Sequence, residues 1–487
     1  MKKFRFLFAL CAVLLVWSTR AEVQLPSFIA SGMVLQQQTT VRLWGKTESG
    51  EKVTVTTGWD NKTYSAKPVA NGGWAVKVKT PEAGGPYEIR INDGTETVLN
   101  DVLVGEVWLA SGQSNMEYSM GNHNHYPRPA RGDRDVLMKA HYEANDALVR
   151  VLYVSRNMSV DTLPTTGWHT VGYESLKPVS AAGYFFAKEL ADSLKVPIGL
   201  ISSSWGGTPV EEWTPREAFE KSQFGGDVDS KGFYGNVKVA WRYDHLIAPM
   251  VPYTLRGFLW YNGEQNLMTG DTEIYADKQM LMVDAWREVW GDEQMPFYYV
   301  QLAPYAYSNR RNLAIPCTWA TLPLFWEAQK RALAQPHTGM VSTFDLVDDV
   351  SEIHPPYKWI VGSRLAKMAL ARSYGFENIE PEGPVFKGYT IEGDRVVVEF
   401  DNVSGGLKTS DSSSAVTFFC LAGADGRFFP AEAKIISPTK IALTCTRVKA
   451  SRVVDVSFGW DEESGHNLHG GNGLPAQPFN TLFMRQQ

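Results

Sequence analysis

Ser114 stands where a serine can act as a nucleophile. Gly112-Gln113-Ser114-Asn115-Met116 follows the apolar, strand-like residues 102–110. A serine between the end of a strand and the start of a helix exposes its hydroxyl, and its own N–H lies at a helix N-terminus, where a developing oxyanion is stabilised. Serines also cap helices in that setting, so the reading needs partners. Ser204-Trp205-Gly206-Gly207-Thr208-Pro209 follows a buried-strand pattern at 196–202, and its two glycines let backbone N–H groups come close to a ligand. Trp260-Tyr261-Asn262-Gly263-Glu264 follows a further strand at 254–260 and offers the Asn262 side-chain amide. Ile353-His354-Pro355-Pro356 precedes a helix and offers His354 as a general base. Singly, these segments also read as a tight turn, an Asn-Gly turn and a surface loop. All of them follow strands of one expected sheet and so share one edge, a combination that suits acyl transfer through a serine.

The elements that position these residues follow from periodicity. Residues 22–98 alternate apolar and polar in short runs, as in Val41-Arg42-Leu43-Trp44 and Trp74-Ala75-Val76-Lys77-Val78, with turns at Asn71-Gly72-Gly73 and Gly84-Gly85-Pro86. A β-sandwich region is expected there. Residues 99–379 alternate strands with helix-length stretches at 181–194, 274–290, 326–334 and 357–373, the last with Val361, Leu365 and Met368 on one face. That alternation predicts an α/β domain with a mainly parallel sheet between two helical layers, and sites in such sheets sit at the carboxyl ends of the strands. Residues 380–487 return to β character. Residues 1–21, with Lys2, Lys3 and Arg5 ahead of an apolar run at 6–17 and Ala21 last, read as a signal peptide. A periplasmic or extracellular mature protein is expected, with no membrane span.

Bulk composition narrows the function. Net charge is −6 with no run of Lys and Arg, so nucleic acid is not an expected partner. The 16 tryptophans offer flat faces for sugar rings, although many aromatics serve the core. The mature cysteines Cys317, Cys420 and Cys445 fit no zinc spacing. Cys420 and Cys445 lie in two strand-like runs and could pair or remain buried thiols. No metal or cofactor is expected, and oligomeric state has no signature in the sequence.

Taken together, Gly105-Glu106-Val107-Trp108-Leu109, Gly112-Gln113-Ser114-Asn115-Met116, Trp205-Gly206-Gly207-Thr208, Trp260-Tyr261-Asn262-Gly263-Glu264, Ile353-His354-Pro355 and Gly473-Leu474-Pro475-Ala476 resemble the sialate O-acetylesterase group of the SGNH (GDSL-like) hydrolases. The resemblance covers most of the chain. It implies a flavodoxin-like, three-layer catalytic domain flanked by β-sandwich regions, and hydrolysis of acetyl esters on carbohydrate. It assigns Ser114 as nucleophile and His354 as base. The oxyanion hole would be formed by the N–H groups of Ser114, Gly206 and Gly207 with the Asn262 amide. Two positions depart from the pattern. Asn262 replaces the usual Gln and is one methylene shorter. Ser351 stands where many relatives carry the Asp that orients the histidine, which leaves Glu352 as the first choice, with Asp349, Asp348 or a backbone carbonyl as alternatives. The resemblance does not choose between sialic acid and plant polysaccharide side chains.

Overall fold

The computed structural model describes residues 22–157, 162–227, 231–232, 235–236, 238–313 and 315–485. The expected signal peptide, 1–21, lies outside them. The central sheet is built from β1 (Glu96–Gly112), β2 (Val149–Val154), β3 (Thr165–Thr170), β4 (Ile198–Ser204), β5 (Gly257–Tyr261), β6 (Phe297–Val300) and β7 (Thr338–Val341). Their spatial order is β7-β6-β5-β1-β4-β2-β3. Every pairing is parallel except the hairpin β2–β3. Without that hairpin the order is that of a flavodoxin-like sheet, with β1 between β4 and β5. Every residue of β4, β5, β6 and β7 is buried, which explains why none of them carries a charge: a parallel sheet covered on both faces has no solvent side.

Helices cover both faces. On one, α2 (Ala181–Leu194) lies against α6 (Lys358–Ser373), and Trp108 of β1 meets Phe186 edge-on at 5.1 Å. On the other, α4 (Tyr275–Trp290) and α5 (Thr321–Arg331) pack together, and Phe258 of β5 meets Trp286 at 5.2 Å. The short α1 (Ser114–Glu117) and α3 (Glu264–Thr269) begin just past the ends of β1 and β5.

The β region at 22–98 differs from expectation in one respect. Strand β1 runs without a break through the expected boundary at 98/99: its first half pairs with Gly84–Asn92 and its second half with β4 and β5. The apolar residues of the N-terminal strands, Val41, Leu43, Val53, Val55, Ile89 and Ile91 among them, therefore join one continuous core with the central sheet. Residues beyond 380 form two four-stranded sheets around a separate core of Val396, Phe400, Phe419, Leu443 and Phe458. That module touches the α/β domain through Ser308 N–H donating to Glu462 at 3.0 Å and Lys330 Nζ donating to the Pro478 carbonyl at 2.9 Å. Cys317, Cys420 and Cys445 are free thiols. Among the described residues no helix is long and apolar enough to cross a membrane.

Candidate active site

Glycine makes the nucleophile turn possible. Gly112 has φ +140°, and a Cβ there would lie 2.2 Å from the Tyr261 carbonyl oxygen, so only glycine brings β1 this close to the end of β5. The turn is then stitched to both neighbouring strand ends: Gln113 N–H donates to the Tyr261 carbonyl at 2.9 Å, and Trp205 N–H to the Gly112 carbonyl at 3.0 Å. Ser114 follows, partly exposed, as the first residue of α1. Its N–H is among the helix donors left free by geometry. Gly206 reaches Ser114 from the side, where an added Cβ would lie 3.3 Å from the Ser114 Cβ.

Ser114 and His354 line one cavity of about 480 Å³ together with Gly206, Gly207, Gln265 and Tyr126. No direct hydrogen bond joins Ser114 Oγ to His354, a contact that often tightens only in a substrate complex. Behind the imidazole, Glu352 Oε1 lies 3.0 Å from His354 Nδ1 and also accepts the His354 N–H at 2.9 Å. The other acids are engaged elsewhere. Asp348 pairs with Arg131 at 3.0 Å and accepts from the Tyr357 hydroxyl, and Asp349 accepts from Ser351 N–H and Oγ. Of these acids, Glu352 is the one bonded to the imidazole, and the Tyr126 ring packs tilted against the imidazole at 4.9 Å between centroids.

Two expected oxyanion donors are engaged elsewhere in this structure. Asn262 is 1% exposed, does not line the cavity, and donates one of its two amide N–H groups to the Thr208 carbonyl at 2.8 Å. Being one methylene short, it bonds the neighbouring loop. Gly206 N–H donates to the Glu117 carboxylate at 2.5 Å. Ser114 and Gly207 N–H groups have no acceptor among the described residues, and both residues line the cavity.

Sequence reasoning also missed several charged groups. Arg242 is buried in the cavity wall, 3.0 Å from Glu212, with its guanidinium 3.7 Å from the Trp205 ring centroid. Arg310 and Trp241 line the same wall. Beneath the site, fully buried Lys358 donates to Asn115 Oδ1 at 2.6 Å, and Asn115 Nδ2 donates to Glu264 at 2.6 Å and to the Ile353 carbonyl at 3.0 Å. Asn115 follows the serine, Ile353 precedes the histidine and Glu264 follows the Asn-Gly turn, so this network fixes the three loops relative to each other. Lys358 had a visible signal: it lies three residues before Val361 and seven before Leu365, on the apolar face of α6.

The electrostatics favour a neutral imidazole. Burial is the main cause holding His354 below its ordinary 6.5, the Lys358 charge acts in the same direction, and Glu352 opposes both. Burial pushes Lys358 itself down to about 7. A base must be unprotonated, so activity that depends on His354 rises with pH through its pKa. The acid limb of kcat/KM is expected to have its midpoint below 6.5 and to move to higher pH in Lys358→Met, which removes a cation that disfavours imidazolium. A pH profile of both proteins checks this; a limb unmoved in the variant would separate Lys358 from the base.

A flavodoxin-like sheet that presents a serine and a histidine at its carboxyl edge defines a hydrolase of the SGNH type. The family model described as "Carbohydrate esterase, sialic acid-specific acetylesterase" matches residues 104–371, and the chain belongs to that family. It is a carboxylic ester hydrolase. Sialate O-acetylesterase of Homo sapiens is 26% identical over 96% of this chain and 94% of its own length. The Rattus norvegicus enzyme of the same name is 28% identical over 74% of this chain and 75% of its own. Among solved structures, a carbohydrate acetylesterase from Xanthomonas citri is 32% identical with a TM-score of 0.80, over 94% of this chain and 99% of that one.

Proposed function

We propose that the chain removes O-acetyl groups from glycans through an acetyl-enzyme on Ser114. The observation that carries this is the shared cavity: Ser114 and His354 open into one pocket while Glu352 meets the far side of the imidazole. His354 Nε2 takes the Ser114 hydroxyl proton as Oγ bonds to the acetyl carbonyl carbon. The carbonyl oxygen becomes the oxyanion, facing the Ser114 and Gly207 N–H groups. When the ester C–O bond breaks, the sugar oxygen leaves with the proton from His354. Water then enters, gives a proton to His354, attacks the acetyl carbon and releases acetate, and Ser114 recovers its proton.

The wall of Arg242, Glu212, Arg310, Trp205 and Trp241 suits a ring that carries hydroxyls, with aromatic faces to stack on. An acyl chain offers these polar groups no hydrogen bonds. Release of acetate from O-acetylated sialic acid, xylan and xyloglucan, measured in parallel, tests the reading. Turnover of at least one glycan with no hydrolysis of a long-chain acyl ester is the expected result, and the reverse pattern would overturn it. The basic start and apolar run of residues 1–21 support export to the periplasm or beyond, which fractionation of expressing cells checks.

A further inference from the structure

We propose that the side-chain amide of Gln265 is the oxyanion donor that Asn262 does not supply, an assignment that rests on the serine-esterase reading above. Gln265 is the second residue of α3, is 1% exposed, and lines the cavity beside Ser114, Gly207 and His354. Its Oε1 is buried without a hydrogen-bond partner, and its Nε2 has no acceptor among the described residues. On a side chain this buried, an amide N–H that has no protein acceptor and is still accessible is uncommon, because buried polar groups are normally committed within the protein. One at the wall of a catalytic cavity is accounted for by a ligand atom that pairs with it.

The backbone holds Gln265 in place. Its N–H donates to Gln113 Oε1 at 3.4 Å, as does Gly263 N–H at 3.5 Å. Gln113 directly precedes Ser114, so the start of α3 and the nucleophile turn are tied through one side chain. The carbonyl of Gln265 accepts from Thr269 Oγ1 at 3.1 Å. The backbone of Gln265 is therefore fixed to the nucleophile loop while its side chain stays uncommitted. Asn262 is the opposite case: its amide nitrogen is held by the Thr208 carbonyl, and it stands outside the cavity wall. Gly206 N–H is held by Glu117. Ser114 N–H, Gly207 N–H and the Gln265 amide are the uncommitted neutral donors from these loops at the cavity. The Gln expected at position 262 is thus supplied by position 265, one residue into the following helix.

The test compares Gln265→Ala, Gln265→Met and Asn262→Ala with wild type in steady-state hydrolysis of 4-nitrophenyl acetate. Thermal unfolding confirms folding, and Gln265→Met retains the side-chain volume without the amide. The expected result is a loss of about 10²–10³ in kcat with little change in KM for both Gln265 variants, and a change of only a few-fold in Asn262→Ala. A boronic acid that mimics the tetrahedral intermediate should lose affinity in the Gln265 variants by a similar factor, while acetate inhibition stays near wild type. A purely packing role would not produce that split. Folded Gln265→Met with kcat within a few-fold of wild type would overturn the assignment while leaving Ser114 as nucleophile. Undiminished turnover by Ser114→Ala would instead remove the reading on which it rests.

Discussion

Ser114→Ala should reduce kcat for acetyl esters by about 10⁶, the scale seen when the serine of other serine hydrolases is removed, and leave the fold intact. The turn that carries Ser114 is held by the Gln113 N–H to Tyr261 and Trp205 N–H to Gly112 hydrogen bonds, none of which uses the serine side chain. Alanine is also a good helix former at the first position of α1. Lost turnover should therefore come with an unchanged unfolding temperature and retained glycan binding. A variant that neither turns over nor binds would point to a damaged cavity and not to a missing nucleophile.

Glu352→Gln is expected to have the second largest effect, a loss of about 10⁴ in kcat with KM nearly unchanged, by analogy with neutralising the acid of other triads. Glu352 Oε1 meets both the ring Nδ1 and the backbone N–H of His354. As a carboxylate it accepts a proton-bearing Nδ1, leaves Nε2 free to act as base and stabilises the imidazolium that forms. A glutamine amide keeps the shape, loses the charge, and can select the wrong tautomer if its NH₂ turns to the ring. Asp348→Asn and Asp349→Asn serve as controls. Their carboxylates serve Arg131, Tyr357 and Ser351, so their kcat should remain within about ten-fold of wild type, the range of a modest hydrogen-bond change. A larger loss from Asp349→Asn than from Glu352→Gln would transfer the orienting role.

The parts of this site that were legible in sequence depend on local patterns. Unbroken apolar runs identify strands buried on both faces, and the residues that follow them must lie at one edge of a parallel sheet. Ser114, Gly206–Gly207 and His354 are placed by that logic, and the cavity brings them together. The illegible parts depend on contacts between loops distant in the chain. The direction of the Asn262 amide is set by the Thr208 carbonyl, and the Gly206 N–H by Glu117; neither partner can be read from an Asn-Gly or Gly-Gly pair. The missed domain boundary has a similar cause. Strand β1 changes from a partly exposed strand at residues 96–101 to a wholly buried one from Val102 onward, a change in burial without a break in backbone that resembles a boundary when only composition is seen. Arg242 was missed because arginines are usually solvated; its stacking on Trp205 is a tertiary event.

The most direct measurement is mass spectrometry of the protein quenched in acid during turnover of 4-nitrophenyl acetate, followed by proteolysis and peptide sequencing. Glu352→Gln is the protein of choice, since slowed deacylation should let the intermediate build up. The expected result is the mass of one acetyl group on the peptide containing Ser114, absent from Ser114→Ala. Steady turnover with no acetylated peptide, or acetyl carried by another residue, would contradict the acetyl-enzyme on Ser114 and return the chemistry to direct attack by water.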